Sequence, residues 1–401
     1  MLRAMVYDPQ PEDSETFPWD RADFLGGKPW LGDYGFFERR GKGRQRRLVP
    51  VACDREELLA RCSDLQAPAV NFVWTAESPY VQNIRDVGFL AEAFLARRRR
   101  EAKSGLKRAL IHVVLWPGLL WQSSRAEDFE PGDLEMGMFC MALIFGVIPS
   151  IRGVLTLLTA RRWDAARVRE SGRTTRFQEW INRDRAPTTW ALCIVMLVIG
   201  GMQWATAPLL DASIRDAGLV KQAVRDGEYW RLLTGTLLHG GWTHLLVNTV
   251  ALFALGRLTE RLAGEKLLAL VLLASAVVGS VCSQVLLPDV ASVGFSGAIL
   301  GLLGFLAAIG RRRLGIMPTG FHRLLTFDVA FILALGAVLH RLVDNGAHVG
   351  GIVTGWLLGL LLVRGPVGGI PLRPGRAVAA LGRVSYRVLL AFAGLALWKI
   401  C

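Results

Sequence analysis

The feature that most limits what this chain can fold into is a series of long apolar stretches whose connections alternate in charge. Seven such stretches lie at about 188–207, 243–262, 266–287, 294–310, 324–342, 347–363 and 386–401. Roughly 20 apolar residues in a helix cross the hydrocarbon of a bilayer, and in lipid only helices and closed barrels satisfy their own backbone. The chain has 401 residues, 52% of them hydrophobic, and a positive mean hydropathy, so it reads as an all-α polytopic membrane protein. Cationic segments fall on alternate connections: 161–185, Arg257 to Lys266, Arg311-Arg312-Arg313 with Arg323, and Arg364 to Arg383. That alternation is the positive-inside pattern. It puts the loops at 208–242, 288–293 and 343–346 outside, and it accounts for the net charge of +13 without nucleic acid as a partner.

The remaining sequence divides around these spans. Residues 1–108 read as a cytoplasmic N-terminal region: the stretch Asp8 to Asp20 is polar and acidic, with no cleavable signal expected. Up to about Arg47 this region is rich in Gly, Pro and charge and is expected to be loosely ordered. Val49-Pro50-Val51, Asp54 to Arg61 and Val70 to Trp74 predict a small α/β region of short strands and helices. The run Arg97-Arg98-Arg99-Arg100, with Lys103, Lys107 and Arg108, reads as an anchor to anionic lipid head groups. Residues 109–160, which contain Pro117, Pro149 and Arg152, are expected to form a membrane hairpin with both ends cytoplasmic, followed by a basic cytoplasmic linker at 161–187. Residues 188–364 form the six-span core, and 365–401 a basic linker with one further span. The six cysteines (Cys53, Cys62, Cys140, Cys193, Cys282 and Cys401) follow no metal or disulfide spacing and read as packing residues.

The chemistry concentrates where three core spans begin at the outer side. Gly294-Phe295-Ser296-Gly297 opens one helix and Ala347-His348-Val349-Gly350-Gly351 opens another. Serine is a weak nucleophile until a base takes its proton, and His348 is the candidate base. Gly297, Gly301 and Gly304 on one helix, and Gly351, Gly355 and Gly359 on the other, stack missing side chains on one face, so the two backbones can approach closely. The span starting near Trp242 carries His244 and Asn248 at i and i+4, on one face. Polar side chains at that depth mark a functional site by default. Together with the free N–H groups of the Ser296 helix, they can stabilise a developing oxyanion. A polar cavity opening outward and ringed by His244, Asn248 and His348 is expected above Ser296. Asp344, four residues before His348, reads as a helix cap rather than an orienting acid.

Taken together these residues resemble the rhomboid family of intramembrane serine proteases, over about Thr188 to Arg364. The resemblance rests on Glu228-Tyr229-Trp230-Arg231, the helix starting at His244, Gly294-Phe295-Ser296-Gly297, and Ala347-His348-Val349-Gly350-Gly351, in the family's order and spacing. It implies a rhomboid-like six-helix core bundle with an extra C-terminal span. It further implies Ser296 as nucleophile, His348 as general base, and an oxyanion hole of His244, Asn248 and the Ser296 N–H. By the same resemblance His239 orders a helix start, and Trp230 and Arg231 belong to a loop lying partly in the outer leaflet. Outside the resemblance, that pair reads as an interfacial anchor. Where the family often has an aromatic packed on the imidazole, this chain has Leu300. The implied function is an intramembrane serine endopeptidase acting on transmembrane protein substrates near the outer face, with no metal or other cofactor expected; Arg- and Ala-rich usage without an expected organelle-targeting signal points to a bacterial plasma (inner) membrane. The alternative is a non-proteolytic rhomboid-like protein that binds and guides membrane clients; a proton-relay transporter is disfavoured because repeated halves and midplane carboxylates are not found.

Overall fold

A computed structural model describes residues 17–40, 47–64, 66–123, 142–160, 162–183, 185–206, 210–312, 316–338, 343–363 and 370–401. The chain forms two compact units, one within Pro18–Trp180 and one within Ile181–Cys401.

The first unit is built on a four-stranded antiparallel sheet. β1 (Tyr34–Arg40) pairs with β2 (Arg47–Cys53), Tyr34 opposite Cys53 and Arg40 opposite Arg47; β3 (Phe72–Trp74) takes the other side of β1, and β4 (Gln82–Asn83) follows, giving the order β2-β1-β3-β4. Pro50 is tolerated because β2 is an edge strand, where a missing N–H breaks no central ladder. β1 falls within the stretch expected to be loosely ordered. What orders it is burial: Phe36 joins Leu58, Val73, Ile84, Leu90, Phe94 and Val168 in one core. α1 (Arg55–Ser63) starts with a capping box, in which Asp54 accepts from the Glu57 N–H and Glu57 accepts from the Asp54 N–H.

α2 (Ala91–Ser123) runs without a break from this core through the arginine run and past Pro117, so the boundary expected at 108 falls inside a continuous helix. Two of the four arginines in the run turn inward. Arg97 donates to the carbonyls of Asp64 and Ala67, and Arg98 lies 4.1 Å from the centre of the Trp163 ring. α3 (Ile148–Ala160), preceded by a π-helical turn at Ala142–Val147, packs antiparallel to α2: Gly146 lies against Val113 and Gly153 against Leu106. Leu110, Ile111, Val114, Val154, Leu155 and Leu158 of this pair face outward. The acidic loop expected at Glu127 to Glu135 lies outside the described residues. α4 (Ala165–Arg183) places Phe177 and Trp180 against the fully buried Trp19, at 4.8 Å between ring centres in each case. Arg173 grips Asp20 with two nitrogens.

The second unit is a bundle of apolar helices. α5 (Pro187–Thr206), α9 (Trp242–Leu286), α12 (Asn345–Leu362) and α13 (Arg376–Ile400) are each long and apolar enough to cross a membrane; α10 (Ser296–Arg312) is a shorter apolar helix, and α11 (Thr319–Val338) lies between α10 and α12. Helices occupy the expected apolar stretches with shifted ends, and among the described residues four of them are long and apolar enough to cross a membrane. α13 starts ten residues before 386, because Arg376 and Arg383 are good helix formers that hydropathy alone does not count. His340 and Arg341 lie outside the described residues.

α9 is two helices joined at Gly264, whose φ of 81° belongs to the left-handed region that suits glycine. Its first half starts beside Gly294 and its second ends beside Ser292, so the halves run antiparallel. The first turn of α5 is capped from this helix: Glu260 accepts from the N–H groups of Thr188 and Thr189 and from the Thr189 hydroxyl, at 2.7–3.0 Å.

Between α5 and α9, three short helices that hydropathy did not reveal fill the loop: α6 (Leu210–Ala217), α7 (Lys221–Arg225) and α8 (Arg231–Leu237). This loop is bonded to the segment leading into α10. Leu219 and Ser292 exchange backbone bonds at 3.0 and 3.2 Å, and the Gly294 N–H donates to the Gly235 carbonyl.

Candidate active site

Ser296 and His348 are brought together by the seam between α10 and α12. A side chain on Gly351 would strike the Gly297 carbonyl, one on Gly355 the Gly301 carbonyl, and one on Gly304 the Ile352 carbonyl. The two backbones therefore touch at successive turns, as the glycine spacing predicts. At the end of this seam His348 Nε2 lies 2.8 Å from Ser296 Oγ. That is a hydrogen bond in the geometry a general base needs.

Asp344 does not complete a triad. One of its oxygens accepts from the Ala347 N–H at 2.9 Å, capping α12, and the other accepts from the Ser283 hydroxyl. His348 Nδ1 is buried and has no hydrogen-bond partner among the described residues.

Of the oxyanion candidates, His244 lies against the segment that leads into Ser296. The His244 ring lies against Gly294: a Cβ there would be 2.6 Å from His244 Cε1. With φ +120° as well, position 294 excludes any other residue on two grounds. Asn248 is buried, and its amide nitrogen has no partner among the described residues. A buried amide donor without an acceptor is costly and calls for one, such as a water or a ligand oxygen. The first N–H groups of α10 have no carbonyl one turn earlier in that helix to accept from them. Leu300 is buried in α10.

His239 is fully buried and packs edge-on to His244, ring centres 5.3 Å apart. Its backbone is held by Gln203 of α5, whose side-chain oxygen accepts from the His239 N–H at 3.1 Å and whose nitrogen donates to the His239 carbonyl at 2.8 Å and to Ser213 at 2.9 Å. Sequence reading missed Gln203. Its signal was present: an amide in the middle of an apolar span is expensive unless it is paired.

Arg231 differs from the interfacial-anchor reading. Arg231 is 7% exposed; it pairs with Glu228 and donates to the carbonyls of Arg215 and Gly218, each at 3.0 Å. It ties the end of α6 to the start of α8 instead of reaching lipid, because bare carbonyls in a folded loop offer a guanidinium better acceptors than an interface does. Trp230 takes the cations of Arg231 and Lys399 on its ring, at 4.5 and 4.7 Å.

One cavity beside Ser296 is lined by residues of the short-helix loop (Leu219, Gly235, Thr236), of α9 (Ala276, Gly279, Ser280) and by Ser292, Gly294, Asp344 and Ala347.

Comparison with known proteins bears on this arrangement. A family profile described as "Rhomboid domain" matches residues 226–365. The chain is similar to Rhomboid protease GluP of Bacillus subtilis (strain 168), 34% identical over 167 residues that cover 41% of this chain and 31% of that protein. It is similar to RHOMBOID-like protein 4 of Arabidopsis thaliana, 39% identical over 157 residues, 39% of this chain and 40% of that one. With the rhomboid protease YdcA of Bacillus subtilis (strain 168) it shares 33% identity over 142 residues, 35% of this chain and 71% of that one. Against GluP and RHOMBOID-like proteins 4 and 6 of Arabidopsis thaliana the match spans under half of their length, at 31%, 40% and 48%. The match to YdcA extends over most of that protein, and the profile covers the helices bearing His244, Ser296 and His348; this chain is therefore a multi-pass membrane protein belonging to the rhomboid family.

Proposed function

We propose that the protein is an intramembrane serine endopeptidase that cleaves transmembrane segments of other membrane proteins near the outer face of the bilayer. The observation that carries this reading is the 2.8 Å approach of His348 Nε2 to Ser296 Oγ at the end of a glycine seam. Ser296 attacks the scissile carbonyl as His348 takes its proton. The oxyanion develops among the α10 N–H groups, His244 and Asn248, whose amide nitrogen has no other partner among the described residues. His348 then returns the proton to the leaving amine, and a water activated by the same imidazole hydrolyses the acyl-enzyme. Two side chains and a set of N–H donors supply every step, so the mechanism calls for no metal or cofactor. The substrate must unwind locally, since a carbonyl within a helix is already bonded; helix-breaking residues near the cut make that easier.

In this reading the basic segments face the cytoplasm and the Ser296 end of the bundle faces outward. The test uses the purified full chain with a transmembrane reporter and a fluorophosphonate label. Ser296→Ala and His348→Ala should each lower cleavage by at least about 10³-fold, and Ser296→Ala should take no label. A label that persists on Ser296→Ala refutes the assignment.

A further inference from the structure

We propose that Lys221 is a positioning residue that links the two chain segments leading into the helices of Ser296 and His348, holding the first directly through Ser292 and the second by way of Ser283, which bonds Asp344. The inference rests on the dyad reading above and adds a residue to it.

Lys221 opens α7 in the loop and is 2% exposed, which is rare for a lysine and calls for partners. Its ammonium donates to the Ser283 hydroxyl at the end of α9 and to the Ser292 hydroxyl at 3.2 Å. The Ser283 hydroxyl in turn donates a hydrogen bond to the second oxygen of Asp344. The Lys221 carbonyl accepts from the Gln284 side chain at 2.9 Å, so the lysine is held at both ends. Ser292 stands four residues before Ser296, and Asp344 four residues before His348. A shift of either segment along its helix axis therefore moves one member of the dyad against the other. The buried cation and the cap carboxylate, joined through one serine, form a pair in which neither charge is left alone.

Burial lowers the Lys221 ammonium to about 8, and Asp344 opposes that fall. Asp344 is the charged group acting on it; Ser283 and Ser292 present only hydroxyls, and on its own helix Arg225 turns away to the Pro288 carbonyl at 3.3 Å. A lysine beside a serine can also serve as a base, but Ser283 is fully buried and its hydroxyl already donates to Asp344, so no attacking group is free.

The experiment measures the fluorophosphonate labelling rate of Ser296, reporter kcat and KM, and the melting temperature. It compares the wild type with Lys221→Met, Asp344→Asn and the double variant. Each single change should slow labelling and kcat by about tenfold or more with KM little changed, since small misplacement of reacting groups is costly. The double variant should be no more than about threefold worse than either single, because the pair acts as one unit. Ser283→Ala, which keeps both charges and removes only the bridge, should slow labelling in the same direction. It is the decisive variant if Lys221→Met does not fold. A wild-type labelling rate per folded molecule in these variants overturns the proposal, as does a double variant whose loss is the product of the singles. A wild type that neither labels nor cleaves refutes the dyad reading instead.

Discussion

The depth of the α10–α12 seam and its outer mouth are held by different forces. Within the seam carbonyls meet glycines, and the positions that touch have no side chain to lose. Lipid is as apolar as leucine, so helices there gain from close contact rather than from leaving water. At the mouth, side chains cross between segments: Gln203 holds His239, Arg231 holds the ends of α6 and α8, and Lys221 reaches Ser283 and Ser292. The seam sets the distance between the helices of Ser296 and His348, and on the proposal above the mouth sets their register. Steric damage should be most severe in the first, and loss of a polar partner in the second.

The largest effect expected from this contrast is at Gly355. Leucine there would drive into the Gly301 carbonyl, costing about 3 kcal/mol or more and abolishing labelling of Ser296. Gly201→Ala in α5, where nothing lies within 4 Å of the new methyl, should change the melting temperature little. Equal effects at the two sites would break the comparison.

A smaller loss is expected at Gln203→Leu, which keeps bulk but strands the N–H and carbonyl of His239. Denaturation of the detergent-solubilised protein should show a loss of about 1–3 kcal/mol, with slower labelling of the molecules that remain folded.

The smallest effect is a pH dependence in which two readouts move in opposite directions. Lys221 is charged below about 8 in the folded protein but has a value of 10.5 when unperturbed. Between those values the unfolded chain binds the extra proton, so stability should rise with pH across that window. The hold on Asp344 weakens over the same rise, so the labelling rate should fall. In Lys221→Arg, charged throughout, the falling limb should disappear. Stability and labelling rate that move together in the wild type would separate Lys221 from the dyad.

The parts legible in the sequence were those with a period. Glycines four apart on two apolar helices imply a close approach, and Ser296 and His348 sit at the start of those helices, so their meeting could be read without coordinates. The i, i+4 spacing likewise put His244 and Asn248 on one face. Partners set by loops were not legible. α6, α7 and α8 are too short to carry a pattern, so nothing in the sequence told Arg231 from an interfacial arginine or Lys221 from a surface lysine. Arg97 and Arg98 show the same limit: adjacent like charges beside an apolar span read as a lipid head-group anchor, while their contacts to Asp64, Ala67 and Trp163 depend on where α1 and α4 come to rest.

The break at Gly264 bears on how this protein is made. Only one residue separates the two halves of α9, leaving no slack for them to be threaded through a translocation channel one after the other. On the membrane reading the two halves are expected to enter the bilayer together as a hairpin. Arg257, Arg261 and Lys266, grouped around the bend, would then remain on the ribosome's side and fix the orientation of every later crossing.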